Sequence, residues 1–213
     1  MSDSHRKLLK ALIVGKPNVG KSTLLNFLVG EKVSIVSRKA QTTQKNTTGV
    51  ITKDDSQLIF FDTPGLNKIE KKIRISETFK AVAENVDVLI YMVDNRKKSQ
   101  SIDDQFSNWL NNNENRFRKK ILIVNKIDCI EKVKLFEITK KINGVINFDE
   151  TFFISLSKNS GTESLINWIE KQAYSNEWVF QQNYKSNVGK KKFLSELTRE
   201  KVFEYIHEEI PYN

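Results

Sequence analysis

The amino-acid sequence predicts an α/β fold with a doubly wound, mostly parallel sheet and helices on both faces. Nearly continuous apolar runs of strand length occur at residues 8–14, 86–93 and 121–124. Such runs are typical of strands that are buried on both faces. Segments with apolar residues at helical spacing follow them along the chain. This alternation of strands and helices is the pattern of a parallel sheet with helices on its two faces.

The first strand runs into a glycine-containing loop and then into a helix that carries Leu24, Leu25 and Leu28 at helical spacing. Two strands at 49–52 and 57–61 are separated by a polar segment of hairpin composition. Polar residues 37–48 between the first helix and this hairpin predict a mobile loop. Further helices are expected at 75–84, 102–113, 131–142 and 162–173, and a last strand at 151–154.

The length and the charge bound the organisation of the chain. A chain of 213 residues suffices for one well-packed domain and part of a second. We expect a first domain at 1–175, a linker at 176–190 and the start of a second domain at 191–213. The net charge is +9, and because residues 176–213 contain six basic and six acidic side chains, the excess lies in the first domain. That excess is compatible with a polyanionic partner.

The sequence shows no sign of membrane insertion or secretion. It lacks a run of about 18 consecutive apolar residues, and its N-terminal segment lacks a secretory pattern. The single cysteine, Cys129, cannot form an internal disulfide, which agrees with a reducing compartment. We therefore expect a cytoplasmic protein without a transmembrane segment.

The segment Gly-Lys-Pro-Asn-Val-Gly-Lys-Ser-Thr between the first strand and the first helix predicts a phosphate-binding loop. Glycines allow successive N–H groups to turn inward around phosphate oxygens at a helix N-terminus, where the helix dipole favours negative charge. In this arrangement Lys21 reaches the β- and γ-phosphates and the Ser22 hydroxyl ligates Mg²⁺. The expected nucleotide-binding residues of this loop are Gly15, Lys16, Pro17, Asn18, Val19, Gly20, Lys21, Ser22 and Thr23.

Two later segments complete the predicted phosphate and magnesium site. The threonine-rich loop suggests a hydroxyl that closes over Mg²⁺ and the γ-phosphate, with Thr43 as first choice and Thr42 as second. Asp62 follows an apolar strand, so we expect it to hold Mg²⁺ through a water. The Gly65 N–H is expected to donate to the γ-phosphate. The predicted metal-binding residues are thus Ser22, Thr43 and Asp62.

The segment Asn-Lys-Ile-Asp after the strand at 121–124 predicts selection of guanine. A carboxylate at Asp128 can accept from both N1–H and the N2 amine of guanine, whereas adenine offers neither donor. Asn125 fits as a donor to N7 and as a tether between loops, and the stem of Lys126 can lie over the base. In the last loop, which holds Ser155, Leu156 and Ser157, backbone N–H groups can meet the guanine O6 and Ser155 can brace Asp128.

In this order the motifs resemble those of the Era family, in the TrmE-Era-Der group of P-loop GTPases. The resemblance rests on residues 15–26, Ser-Arg-Lys-Ala-Gln-Thr-Thr at 37–43, Asp-Thr-Pro-Gly at 62–65 and Asn-Lys-Ile-Asp at 125–128. It implies binding of GTP and GDP with Mg²⁺, GTP hydrolysis, and a role in small ribosomal subunit maturation through 16S ribosomal RNA. We expect a monomer, and peripheral association with the inner membrane stays open.

The resemblance also assigns catalytic roles. Lys21, Thr43 and Gly65 are expected to act on the phosphates during hydrolysis. Asn18 matches an asparagine that helps related GTPases to hold K⁺ against the phosphates. Leu66 stands where Ras-like proteins carry a water-positioning glutamine, which predicts slow intrinsic turnover.

Three departures from the family pattern limit the resemblance. Gln44 replaces an arginine, Leu156 replaces an alanine, and the chain stops at Asn213 before a Gly-x-x-Gly loop. Residues 193–212 resemble only the first helix and strand of an RNA-binding KH domain. We therefore expect a fragment or a lost domain, with residues 176–213 poorly packed or in contact with the GTPase domain or a second copy.

Two other functions stay open. One is a nucleotide-gated RNA-binding module with negligible unassisted hydrolysis, for which turnover accelerated by RNA is the distinguishing observation. The other is a related GTPase that acts in tRNA modification. A P-loop kinase that uses ATP is disfavoured, because the segment at 125–128 would have no purpose there.

Overall fold

The computed structural model describes residues 6–34, 47–62, 68–69, 72–73, 76–94, 96, 101–189 and 198. The strands are β1 (Lys7–Gly15), β2 (Thr47–Lys53), β3 (Ser56–Asp62), β4 (Lys68–Ile69), β5 (Lys72–Ile73), β6 (Val88–Val93), β7 (Lys119–Val124), β8 (Glu150–Phe153) and β9 (Tyr174–Ser175). The helices are α1 (Lys21–Val29), α2 (Glu77–Ala83), α3 (Asp104–Asn111), α4 (Lys132–Asn143) and α5 (Thr162–Lys171), with single 3-10 turns at Glu114–Arg116 and Ile127–Cys129.

The predicted α/β sheet is confirmed, and it is mostly parallel. Its strand order is β2-β3-β1-β6-β7-β8, and β9 adds to β1. Within this sheet β3, β1, β6, β7 and β8 pair in parallel, whereas β2 is antiparallel to β3 and β9 is antiparallel to β1. The short strands β4 and β5 form a separate antiparallel pair. The carboxyl ends of β1, β3, β6, β7 and β8 therefore lie at one edge of the sheet, where open α/β sheets bind ligands.

The central strand β6 shows why the sheet is covered on both faces. All six of its side chains are buried. Leu89, Tyr91 and Val93 pack in one core with residues of α2, α3 and α4, whereas the alternating residues pack in the other core with α1 and α5. The period of two along the strand thus divides one apolar run between two layers of helices.

Capping residues set the starts of two helices inside the predicted ranges. The helix predicted at 102–113 begins at Asp104, because the Asp103 carboxylate accepts from the Gln105 N–H at 3.0 Å. The helix predicted at 75–84 begins at Glu77, because Ser76 accepts from the Phe79 N–H at 3.1 Å. A short polar side chain at such a position satisfies a helix N–H that has no partner in the helix itself.

Residues 176–189 pack against β1, β2 and β3. Phe180 and Tyr184 stack with ring centroids 4.3 Å apart and pack against a cluster of Leu8, Val50 and Ile59. Gln57, fully buried, accepts from the N–H groups of residues 179 and 180 and donates to the carbonyl of Phe180. Part of the segment expected to contact the first domain therefore does so. Of residues 191–213 the structure describes Thr198 alone, so the domain boundaries stay a prediction.

Among the helices that the structure describes, none is both long enough and apolar enough to cross a membrane.

Candidate nucleotide-binding site

The loop between β1 and α1 has a hydrogen-bond donor on each of its carbonyl groups from Gly15 to Gly20. Lys21 Nζ donates to the carbonyls of Gly15 and Lys16 at 3.0 and 3.2 Å. The carbonyls of residues 17–19 accept hydrogen bonds from side chains of two other loops, and the carbonyl of Gly20 accepts from a backbone N–H in the first turn of α1. These pairs are Pro17 O with Arg96 Nη2 at 2.9 Å, Asn18 O with Lys126 Nζ at 2.9 Å, Val19 O with Asn125 Nδ2 at 2.9 Å, and Gly20 O with the Leu24 N–H at 2.8 Å.

This arrangement orients the N–H groups of the loop. A trans peptide directs its C=O and its N–H to opposite sides. Because the carbonyls are held from outside by donors, the N–H groups of the same peptides face away from those donors. Successive N–H groups at the start of a helix form an anion-binding concavity. The geometry therefore agrees with the predicted phosphate-binding role of residues 15–23.

Lys21 and Asp62 are both buried at this site and interact electrostatically. Lys21 is 8% exposed and Asp62 is fully buried. Burial lowers the pKa of Lys21 from 10.5, and the nearby Asp62 opposes that shift. Burial likewise raises the pKa of Asp62 from 3.8, and Lys21 and Ser22 oppose that shift. For both side chains the effect of desolvation on the pKa is larger than the effect of the opposite charge of the other. A further opposite charge beside either one would therefore favour its ionised form.

The oxygens of Ser22 and Asp62 fit the predicted Mg²⁺ site. Ser22 Oγ donates to Asp62 Oδ2 at 2.7 Å, which brings two of the expected metal-binding residues together. The other carboxylate oxygen, Oδ1, is buried and has no hydrogen-bond partner among the described residues. A carboxylate and a hydroxyl are oxygen ligands of the kind that Mg²⁺ prefers.

Asp128 lies in the predicted guanine loop and is oriented by the last loop. Ser155 Oγ donates to Asp128 Oδ1 at 2.5 Å, and Ser157 Oγ donates to Oδ2 at 3.4 Å. The hydrogen bond from Ser155 is the main cause that holds the pKa of Asp128 below 3.8. Asp128 is exposed, so its ionised carboxylate is accessible to a base.

Asn125 connects three loops. It is buried, donates to Val19 in the phosphate loop and accepts from the Leu156 N–H at 3.4 Å. Lys126 reaches from the same segment to the Asn18 carbonyl. The role of Asn125 as a tether between loops thus agrees with its contacts, and these side chains join the phosphate end of the site to its base end.

The comparisons with known proteins agree with this geometry. A family model described as 50S ribosome-binding GTPase matches residues 10–126, which is more than half of the chain. The chain belongs to this GTPase family. Its curated relatives include GTPase Era from Brucella melitensis biotype 1, 31% identical over 202 residues that make up 94% of this chain and 64% of the relative. GTP-binding protein ERG from Arabidopsis thaliana is 35% identical over 221 residues, covering 99% of this chain and 50% of the relative.

Solved Era structures resemble this chain. One is Era in complex with MgGDPNP and nucleotides 1506–1542 of 16S ribosomal RNA, with a TM-score of 0.76 and 32% identity over 92% of this chain and 67% of that chain. Another is an Era variant from Aquifex aeolicus bound to GDP·AlF4⁻, with a TM-score of 0.77 and 32% identity over 92% of this chain and 66% of that chain. The resemblance to Era expected from the motifs is confirmed. The chain spans about 64% of the length of the first Era relative.

Two of the predicted site residues, Thr43 and Gly65, lie outside the described residues, as does the alternative Thr42.

The structure also adds to the site two residues that the sequence motifs did not predict. Asp94 follows β6 and is fully buried, and Arg96 bonds both Asp94 and the Pro17 carbonyl. The signal for Asp94 was present, because it is an acidic residue at the carboxyl end of a buried strand, as Asp62 is.

Proposed function

We propose that this GTPase binds GTP and GDP, hydrolyses GTP slowly and acts as a switch in small ribosomal subunit maturation. One observation carries the proposal: an exposed carboxylate, Asp128, is held by Ser155 at one end of a site whose other end is the phosphate loop. Asn125 and Lys126 connect the two ends. A purine with donors at N1 and N2 and a phosphate chain is the ligand that these groups fit.

The residues divide the work of hydrolysis among them. Lys21 and the loop N–H groups would hold the β- and γ-phosphates, and Mg²⁺ would be held by Ser22 directly and by Asp62 through a water. When bound, Mg²⁺ neutralises the charge that develops on the phosphate oxygens. We assign Thr43 to the same metal and the Gly65 N–H to the γ-phosphate. Leu66 cannot orient a water as a glutamine does, which is why we expect slow turnover.

Asn18 is the residue through which we propose activation by K⁺. It lies in the phosphate loop, its carbonyl is held by Lys126 and it is exposed. A monovalent cation there would add positive charge where charge develops in the transition state. Faster hydrolysis in KCl than in NaCl at equal ionic strength, with loss of the difference in Asn18→Ala, supports this role. Equal rates in the two salts contradict it.

The proposed partner is 16S ribosomal RNA, and the proposed location is the cytoplasm, where ribosomes are assembled. The structure of Era with nucleotides 1506–1542 of that RNA supports the proposal. The positive charge of the first domain supports it as well, since phosphate contacts depend on basic side chains. If an RNA with the sequence of nucleotides 1506–1542 accelerates GTP hydrolysis, the result favours a switch. Fast hydrolysis without RNA would favour an enzyme that uses GTP simply as a substrate.

The decisive experiment is a titration with fluorescent GDP, competed by GTP, ATP and inosine diphosphate. We expect GDP and GTP to bind, ATP to be rejected and inosine diphosphate, which lacks the N2 amine, to bind more weakly. Asp128→Ala is expected to abolish the preference for guanine. Glu137→Ala, which removes an exposed carboxylate from α4, is the matched control and should leave it unchanged. Retention of the preference in Asp128→Ala contradicts the proposed function.

A further inference from the structure

The buried carboxylate of Asp94 and the exposed side chain of Arg96 form a charge cluster next to the phosphate loop. Asp94 is fully buried directly after β6. Arg96 Nε donates to its two carboxylate oxygens at 3.0 and 2.8 Å, and the Arg96 backbone N–H donates to Oδ1 at 3.1 Å. Lys126 Nζ donates to Oδ2 at 2.9 Å. One carboxylate therefore fixes the position of two cations.

The side chains of Arg96 and Lys126, which both bond Asp94, also donate to adjacent carbonyls of the phosphate loop. Arg96 Nη2 donates to Pro17 O and Lys126 Nζ donates to Asn18 O, each at 2.9 Å. The peptide that carries the Pro17 carbonyl also carries the Asn18 N–H, and the next peptide carries the Val19 N–H. Since C=O and N–H of a trans peptide point in opposite directions, the two cations fix where these two N–H groups point.

We propose that Arg96, oriented by Asp94, is a positioning residue that aims the N–H groups of the phosphate loop at the nucleotide phosphates. The proposal rests on the proposed function, because it concerns the same nucleotide. Arg96 contacts the loop from the side of its carbonyls and acts through the loop backbone. The arginine fork suits this task, because it bonds a carboxylate through one N–H and a carbonyl through another in a fixed plane. Lysine has the charge without the fork.

The test compares Arg96→Ala with Arg116→Ala, a control that removes an arginine paired with Glu84 at 3.6 Å. We expect Arg96→Ala to weaken GDP binding about ten- to hundredfold, the effect of losing one charge-assisted hydrogen bond. GMP, measured by competition, should lose much less, because it lacks the β-phosphate. The ratio of GDP to inosine diphosphate affinity should stay unchanged, because the base is read by other residues. Arg116→Ala should bind all three nucleotides as the unchanged protein does.

Arg96→Lys separates the fork from the charge and serves as the second variant. We expect it to restore part of the GDP affinity and to leave GMP and the base preference unchanged. It also decides the test if Arg96→Ala lowers the melting temperature too far for a titration.

The proposal is overturned if Arg96→Ala binds GDP as Arg116→Ala does, or if GDP and GMP weaken by the same factor. It is also overturned if the preference for guanine over hypoxanthine falls, since that change means a general loosening of the site. Failure of the unchanged protein to bind guanine nucleotides is a different result, because it removes the proposed function itself.

Discussion

Replacing Gly20 with alanine tests how closely the phosphate loop packs against the guanine loop. Gly20 has a φ of +109°, and left-handed backbone costs a residue with a Cβ about 1–2 kcal/mol. A Cβ there would overlap the Nδ2 atom of Asn125. That atom donates to Val19 O at 2.9 Å, and an unsatisfied buried acceptor costs about 1–3 kcal/mol. We therefore expect Gly20→Ala to lower the free energy of unfolding by about 2–5 kcal/mol.

Gly30→Ala is the matched control. Gly30 has a φ of +77° and nothing lies within 4 Å of the position that its Cβ would take. It carries the conformational cost without the overlap, so we expect a loss of about 1–2 kcal/mol. Urea denaturation of both variants measures the difference, and titration with GDP should show weakened binding in Gly20→Ala alone. Equal losses in the two variants would mean that the contact with Asn125 contributes nothing to the site.

Three further changes probe other parts of the molecule. Gln57→Ala leaves the N–H groups that it accepts from unsatisfied, so we expect a loss of about 1–3 kcal/mol in urea denaturation and faster proteolysis within residues 176–189. Unchanged proteolysis speaks against this role for Gln57. Ser155→Ala removes the main cause of the low pKa of Asp128. Its GDP affinity should therefore begin to fall at a higher pH than that of the unchanged protein as the solution is acidified, because a protonated carboxyl cannot accept both guanine donors; coincident profiles contradict this. Asp62→Asn should reduce the gain in GTP affinity that Mg²⁺ gives over EDTA, because the proposed metal site loses its only described carboxylate, and an unchanged gain would contradict a role for Asp62 at the metal.

The local elements of the fold were predictable, because each depends on a short stretch of sequence. The runs that became β1, β6 and β7 each contain at least four consecutive apolar residues, and no helix-spaced pattern competes with them. The packing of residues 176–189 was not apparent in the same way. Its aromatic residues have no periodicity of their own, and they are ordered by Gln57, a residue more than a hundred positions away along the chain. Contacts of that kind depend on tertiary structure.

In the site, too, features that depend on a short stretch of sequence were predictable and those that depend on tertiary contacts were not. The residues proposed to touch the ligand belong to contiguous motifs, since a phosphate or a base needs several groups close together, and the sequence alone predicts such motifs. Arg96 bonds the Pro17 carbonyl of the loop, and Asp94 orients both Arg96 and Lys126, which bonds the Asn18 carbonyl. A residue that positions the loop needs only to lie near it in the folded protein. Its distance from the loop along the sequence is not fixed, so no sequence motif identifies it.

The electrostatics of the buried pair link nucleotide binding to folding. Lys21 has three N–H donors, and two of them hold the carbonyls of Gly15 and Lys16. The third can meet a phosphate without releasing the loop. Burial disfavours the charge on Lys21 and also the charge on Asp62. A phosphate beside Lys21 and a metal ion beside Asp62 would each add an opposite charge. Binding would therefore offset the desolvation cost that these two buried charges carry in the folded chain. A ligand that binds the folded state alone must also stabilise it, and nucleotide with Mg²⁺ should therefore raise the melting temperature more than nucleotide alone.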